Sequence, residues 1–237
     1  MRRIGGPVPA EVAQEGGDHD DVTSFLRAVY GWMCAGLAIT ALVAYVIAST
    51  PALIGALVSN QLLFLALFLV QLGVVFFLSF RVDRIAPSTA TLLFIGYSAL
   101  TGVTFSVILL AYTGASIAST FVVTAGMFGA LALYGTTTSR SLAGVGQFMF
   151  MGLIGLIIAS VVGFFWRNSA LEFLISVVGV LVFTGLTAWD AQRLRLMATQ
   201  ISGSQVGSYA IVGALSLYLN FINLFLFMLR FMGGRRD

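Results

Sequence analysis

Seven apolar stretches, each long enough to cross a lipid bilayer as a helix, leave this chain few ways to fold. They run Phe25–Ser49, Leu62–Phe80, Ser88–Tyr112, Ile117–Tyr134, Leu142–Phe165, Leu171–Asp190 and Ser208–Met232, joined by short connections. On the order of 20 apolar residues span the hydrocarbon as a helix, and the period-two alternation of a barrel strand is absent. With 59% hydrophobic and 9% charged residues, the chain also has too little polar surface to cover a water-soluble core. The prediction is an all-α membrane protein: one bundle of seven transmembrane helices over residues 25–233, with tails at 1–24 and 234–237.

Small residues recur at every fourth position within the stretches, as in Ser98, Gly102 and Ser106, or Gly155, Ala159 and Gly163. Such faces let helices approach closely in lipid and read as packing surfaces. Orientation follows from arginine, which supplies all 12 positive side chains. Arg2, Arg3 and Arg27 flank the first span, Arg81 and Arg84 follow the second, Arg140 the fourth, and Arg193 with Arg195 the sixth. Of the alternate connections, Thr50–Asn60 and Thr113–Ser116 are uncharged and the third holds only Arg167, beside Glu172. The positive-inside rule therefore predicts a cytoplasmic N-terminus. Seven spans put the C-terminus outside, against the pull of Arg235 and Arg236, so a last segment that only half crosses is the alternative.

Residues 1–24 are rich in Gly, Glu and Asp and lack the apolar stretch of a signal peptide, so a disordered cytoplasmic tail is expected. His19, among Asp18, Asp20 and Asp21, has no second His or Cys at ligand spacing and reads as solvated. Cys34, the sole cysteine, reads as a small packing residue within the first span.

Several activities of seven-helix proteins fail on missing residues. A retinal pump needs a lysine, and the chain has none. A serine intramembrane protease needs a base for its hydroxyl, and the sole histidine lies in the tail. An aspartyl protease needs two carboxylates sharing a proton, whereas Asp190 is the only acid within the spans apart from Glu172 at the far end of the sixth. Gly144-Val145-Gly146 lacks the preceding strand of a phosphate loop. An enzyme is not expected.

What remains polar lies where lipid forbids it. The sixth span ends in Thr187-Ala188-Trp189-Asp190-Ala191-Gln192-Arg193, and an ionisable group at membrane depth is by default a candidate for an ion or proton pathway. In the last span Gly213, Ser216, Asn220, Asn223, Phe227 and Arg230 recur at steps of three and four, which places them on one helix face that must turn inward. The asparagines serve either as interhelical hydrogen-bonding groups or as part of a pathway.

Phe183 to Gln192 and Ala214 to Arg230 resemble the two C-terminal signature segments of the Bax inhibitor-1 family, the transmembrane Bax-inhibitor-motif proteins. The likeness extends from the span after Ser24 to Gly233, and Val70 to Phe76 and Gly96 to Phe105 also fit its bacterial members. The resemblance implies a seven-helix fold with the last helix central and wrapped by the other six, a bacterial inner-membrane location and a pH-sensitive calcium leak. Some bacterial relatives instead bind and modulate a membrane-anchored AAA protease. Matched residue by residue, Asp190 takes the place of the family aspartate of the sixth helix. Asn220 stands where the family has a second aspartate. Gln71 replaces an acidic residue that many relatives carry in the second helix, able to pair with the arginine of the last, here Arg230. The family's gate-facing arginine at the cytoplasmic end of the second helix is Arg81 or Arg84.

Two carboxylates at close range share a proton, because like-charge repulsion raises one of their pKa values. Asn220 cannot ionise, so pH control at this pair is expected to be altered, with the pathway held either closed or constantly leaky. A calcium site here draws on Asp190, the amide oxygens of Asn220 and Asn223, Thr187, Ser216, backbone carbonyls and water. It is expected to be weak, since tight sites use several carboxylates. The expectation is a cation (calcium) leak in the lipid bilayer, gated by Asp190, Asn220 and Arg81 or Arg84, with no other cofactor and no nucleic-acid partner. The competing expectation is a non-conducting interaction protein that regulates an AAA protease. The simplest structural reading of Asp190, a cap at the cytoplasmic end of its helix paired with a neighbouring arginine, stays open.

Overall fold

The computed structural model describes residues 10–81, 84–166, 168–201 and 205–234, and the side chains of these other than 10–20 and 164. Eight helices follow in order: α1 (Ala10–Ala48), α2 (Pro51–Ser59), α3 (Gln61–Arg81), α4 (Pro87–Ala111), α5 (Gly114–Thr137), α6 (Ala143–Phe165), α7 (Ser169–Ala198) and α8 (Val206–Met232). Among the described residues there is no strand. Seven of the helices are long and apolar enough to cross a membrane. The eighth, α2, rises only about 14 Å and is too short. It occupies the connection expected to be a plain loop, because Pro51 is preorganised for the first helical turn and apolar residues follow it.

Helix starts follow local chemistry. Pro87 opens α4, the Thr113 hydroxyl accepts from the Ser116 amide at α5, and Asn168 Oδ1 accepts from the Ala170 amide at α7. Glu172 in the first turn of α7 complements the positive end of the helix dipole. Two boundaries differ from the sequence reading. Helix α1 begins at Ala10, with its membrane-capable part at Asp21–Ala48, rather than at Phe25; residues 1–9 and the His19 side chain lie outside what is described. Helix α7 continues two turns past Asp190 to Ala198. Those turns bury Ala191, Leu194 and Ala198 against the core while exposing Arg193 and Arg195, so hydropathy marks where the apolar run stops and not where the helix ends. Asp190 is therefore not a terminal cap.

Helix α8 is the centre of the bundle: 67% of its spanning window is buried, against 6% for α3. It packs on α7, α1, α5 and α4 and touches α3 along one edge, while α6 packs principally on α7. Leu156 of α6 and Leu224 of α8 share a buried apolar cluster, and the last helix is central as expected. Lipid offers no hydrophobic drive for helix association, so close packing and polar contacts hold the bundle. Helices α1 and α4 share the most extensive interface. A Cβ added at Gly102 would stand 2.7 Å from the Thr40 carbonyl oxygen, and the predicted face of Ser98, Gly102 and Ser106 is buried. In the other small-residue series Gly155 is exposed with open space around it, and Gly163 meets α7 at Ile175 and Leu171.

A buried polar node ties α1, α4 and α8 together. Thr40 Oγ1 donates to the Ser98 carbonyl at 2.9 Å and lies 2.6 Å from the Tyr218 hydroxyl. A hydroxyl has one proton, so Tyr218 is the donor in the second bond. At the far end of α8 the Gly234 amide donates to Ser116 Oγ and its carbonyl accepts from the Thr113 amide. These bonds fix that end beside the α4–α5 connection. With about 40 Å of rise, α8 is long and apolar enough to cross a membrane in full.

Candidate functional site

Asp190 sits about 12 Å of helical rise inside the C-terminal end of α7, with its residue 5% exposed. Ser216 and Asn220, one turn apart on α8, both address the same oxygen. Ser216 Oγ donates to Asp190 Oδ2 at 2.6 Å and Asn220 Nδ2 donates to it at 2.8 Å. A carboxylate only accepts, so the amide nitrogen of Asn220 is the group that faces it. The predicted Asp190–Asn220 pair is therefore brought together, with Ser216. The carboxylate's other oxygen, Oδ1, lies 3.5 Å from an Arg193 guanidinium nitrogen. Arg193 also rests over the Trp189 ring, 5.2 Å from its centroid.

A cavity of about 350 Å³ reaches this cluster from the arginine-bearing end, lined by Ser79, Arg193, Tyr209, Gly213 and Ser216 among others. Ser216 thus has one side on the cavity and its hydroxyl on the carboxylate. Toward the opposite end the route closes. Leu156, Val182, Phe183, Leu186 and Leu224 form a buried apolar cluster, and Phe227 stacks on Phe183 with centroids 5.8 Å apart. Gly179 makes room for that ring, since a Cβ there would meet Phe227 Cγ at 2.5 Å. Beyond the plug a second cavity, of about 880 Å³, opens at the far end.

The inward stripe predicted on the last helix faces α7 along most of its length: Gly213 meets Leu194, Ser216 and Asn220 meet Asp190, and Phe227 meets Gly179 and Phe183. Other predicted members are elsewhere. Thr187 Oγ1 donates to the Phe183 carbonyl, and Asn223 Nδ2 donates to the Leu219 carbonyl, each bonding within its own helix. Arg81 and Arg84 are exposed, and neither forms a salt bridge to Asp190. Leu78 is the only buried residue of α3, and that helix lies mainly against α4 and the edge of α8; its last turn meets the site through Ser79, which lines the smaller cavity with Arg193 and Ser216. Gln71 donates to Thr104 on α4 at 3.4 Å, while Arg230 lies over Phe227, 5.9 Å from the ring centroid; the two are not brought together.

The alternative in which Asp190 pairs with a neighbouring arginine is met in that half by Arg193, whose i+3 spacing on one helix carries the signal, although sequence reasoning did not name it among the site residues. It also passed over Gln192, whose Oε1 accepts from the Leu142 amide at 2.7 Å and whose Nε2 donates to the Arg140 carbonyl at 2.8 Å. No spacing rule could have shown a partner 50 residues away. Among the described residues no three His, Cys, Asp or Glu side chains converge. Asp190 and the Ser216 hydroxyl are the oxygens that meet at this site.

Residues 22–237 match the family model described as "Inhibitor of apoptosis-promoting Bax1". The chain is 49% identical over 216 residues to Inner membrane protein YbhL of Escherichia coli strain K12, a match covering 90% of this chain and 92% of that one. A protein of Borreliella burgdorferi is 46% identical over 215 residues, with 90% and 93% covered. One of Caulobacter vibrioides is 39% identical over 241 residues, with 97% and 96% covered.

Proposed function

The chain belongs to the Bax inhibitor-1 family, and on that premise we propose that it is a non-enzymatic cation leak of the bacterial inner membrane, with calcium as its cargo. The observation that carries this reading is Asp190: a buried carboxylate between α7 and the central helix, with a cavity at one end that reaches its partners Ser216 and Arg193 and an apolar plug beyond it. A lone membrane-depth carboxylate attracts cations. With one carboxylate the site is too poor in charge to hold calcium tightly, which suits passage rather than storage. The Phe183–Phe227 stack and Leu224 close the path in this conformation, and conduction requires α7 and α8 to part there.

The arginine-rich end, carrying Arg27, Arg81, Arg84, Arg140, Arg193 and Arg195, faces the cytoplasm in this reading. Asp190 is then reached from the cytoplasm. Because position 220 is Asn, the pair lacks a second titrating carboxylate, and the leak should respond only weakly to pH. The test is calcium entry into dye-loaded liposomes carrying the purified protein. Native protein should conduct, and Asp190→Asn should lower the flux about tenfold, the effect of removing ~1.4 kcal/mol of charge attraction. Native protein that passes no more calcium than protein-free liposomes would overturn the reading in favour of a non-conducting interaction protein.

A further inference from the structure

The 880 Å³ cavity at the end of the bundle away from the arginine cluster has no part in the Asp190 site. Helix α6 leans on α7, and α4 leans on α1 and α8. Between α4 and α6 the first turns of α7 and the last turns of α8 therefore form an uncovered floor. That floor carries one acid and one base, Glu172 and Arg230. Both are exposed, and no salt bridge joins them to each other or to another described residue. Two of the three lining serines are already committed: Ser176 Oγ donates to the Glu172 carbonyl and Ser160 Oγ to the Leu156 carbonyl, while Ser169 opens α7. The remaining lining is largely apolar, including Phe173 and Phe231, which pack on each other at 5.7 Å.

We propose that this cavity binds a zwitterionic phospholipid with a primary-amine headgroup, its phosphate on Arg230, its ammonium on Glu172, and its acyl chains along Phe173, Phe231 and the gap between α4 and α6. Charge complementarity selects this occupant. A purely anionic lipid would satisfy Arg230 but meet the carboxylate of Glu172, and a neutral one would leave both charges unpaired. Guanidinium binds phosphate oxygens in a fork geometry that suits this role. Depth agrees as well, since Glu172 is in the first turn of α7 and Arg230 in the last turn of α8, at the level where a membrane-spanning helix meets lipid headgroups. The volume lies within the range of small-molecule pockets.

The proposal is independent of ion conduction. It is tested by thermal unfolding of the delipidated protein in detergent with dioleoylphosphatidylethanolamine, dioleoylphosphatidylglycerol or soluble phosphoethanolamine. The native protein should be stabilised more by the ethanolamine lipid than by the glycerol lipid, and not by the soluble headgroup. Glu172→Gln should erase the preference between the two lipids, Arg230→Gln should abolish the response to both, and Arg230→Lys should retain it. Both side chains are exposed, so the variants should unfold at the native midpoint without lipid, which separates lost binding from lost folding. Equal stabilisation by both lipids, a preference that survives Glu172→Gln, or an equal shift from soluble phosphoethanolamine would each overturn the proposal.

Discussion

One oxygen of Asp190 is held by two neutral donors and the other faces Arg193 across 3.5 Å. The arginine side chain is 44% exposed, so the pair is solvent-screened and adds little to stability. Its consequence is for access: a cation arriving through the smaller cavity meets a tethered guanidinium already beside Oδ1. Arg193→Gln should raise calcium flux several-fold while leaving the unfolding midpoint near native, and Arg193→Lys should stay close to the native rate. Unchanged flux in Arg193→Gln would show that the guanidinium does not compete with the permeating ion. The second residue-scale prediction concerns position 220, whose nitrogen lies 2.8 Å from Asp190 Oδ2. Asn220→Asp puts two carboxylates in contact, and like-charge repulsion raises the pH at which the pair gives up its shared proton. Below that pH the pair carries one negative charge; above it, two. Flux should then change with pH between mildly acidic and neutral conditions more steeply than in the native protein. Asp190→Asn combined with Asn220→Asp keeps one carboxylate and should not gain that dependence. A single variant with a native pH profile would sink the two-carboxylate account.

At the scale of elements, α7 does more than carry Asp190. Its last two turns lie beyond the apolar run, and there Gln192 bonds Arg140 and Leu142 while the Arg195 guanidinium donates to the Thr136 carbonyl. Together they hold the connection between α5 and α6, and with it the start of α6. Gln192→Leu leaves a backbone donor and an acceptor without these partners, which should cost about 2 kcal/mol and lower the unfolding midpoint in detergent. An unshifted midpoint would mean that water replaces the glutamine. These turns also mark where the sequence was readable and where it was not. The spans were legible because lipid enforces apolar runs of fixed length, and the inward stripe on α8 because helical periodicity does. The extension of α7 was hidden because its buried residues, Ala191, Leu194 and Ala198, alternate with arginines. The choice between Arg81 and Arg84 was not legible for another reason: which of them faces the site depends on how the end of α3 is packed, and no local pattern at either residue encodes that.

Across the whole molecule, charge and geometry divide the bundle into two unlike ends. The described arginines Arg27, Arg81, Arg84, Arg140, Arg193 and Arg195 share the end from which the smaller cavity leads to Asp190, and α2, the α4–α5 connection and the larger cavity share the other. If arginine asymmetry sets insertion, the accessible side of Asp190 is cytoplasmic and the apolar plug lies between it and the exterior. Direction of access then matters physiologically, because a cation entering from outside must pass Phe183, Leu224 and Phe227 before it meets any charge at Asp190, whereas one inside meets the carboxylate first. The orientation can be measured without reference to conduction. In a Cys34→Ala background, Ser59→Cys at the end of α2 and Ser139→Cys between α5 and α6 introduce thiols at exposed positions on opposite ends. A membrane-impermeant maleimide applied to intact spheroplasts should label the first and spare the second, and both should react after lysis. Labelling of Ser139→Cys alone in intact spheroplasts would invert the molecule, place Asp190 in reach of the exterior and put the lipid cavity in the inner leaflet.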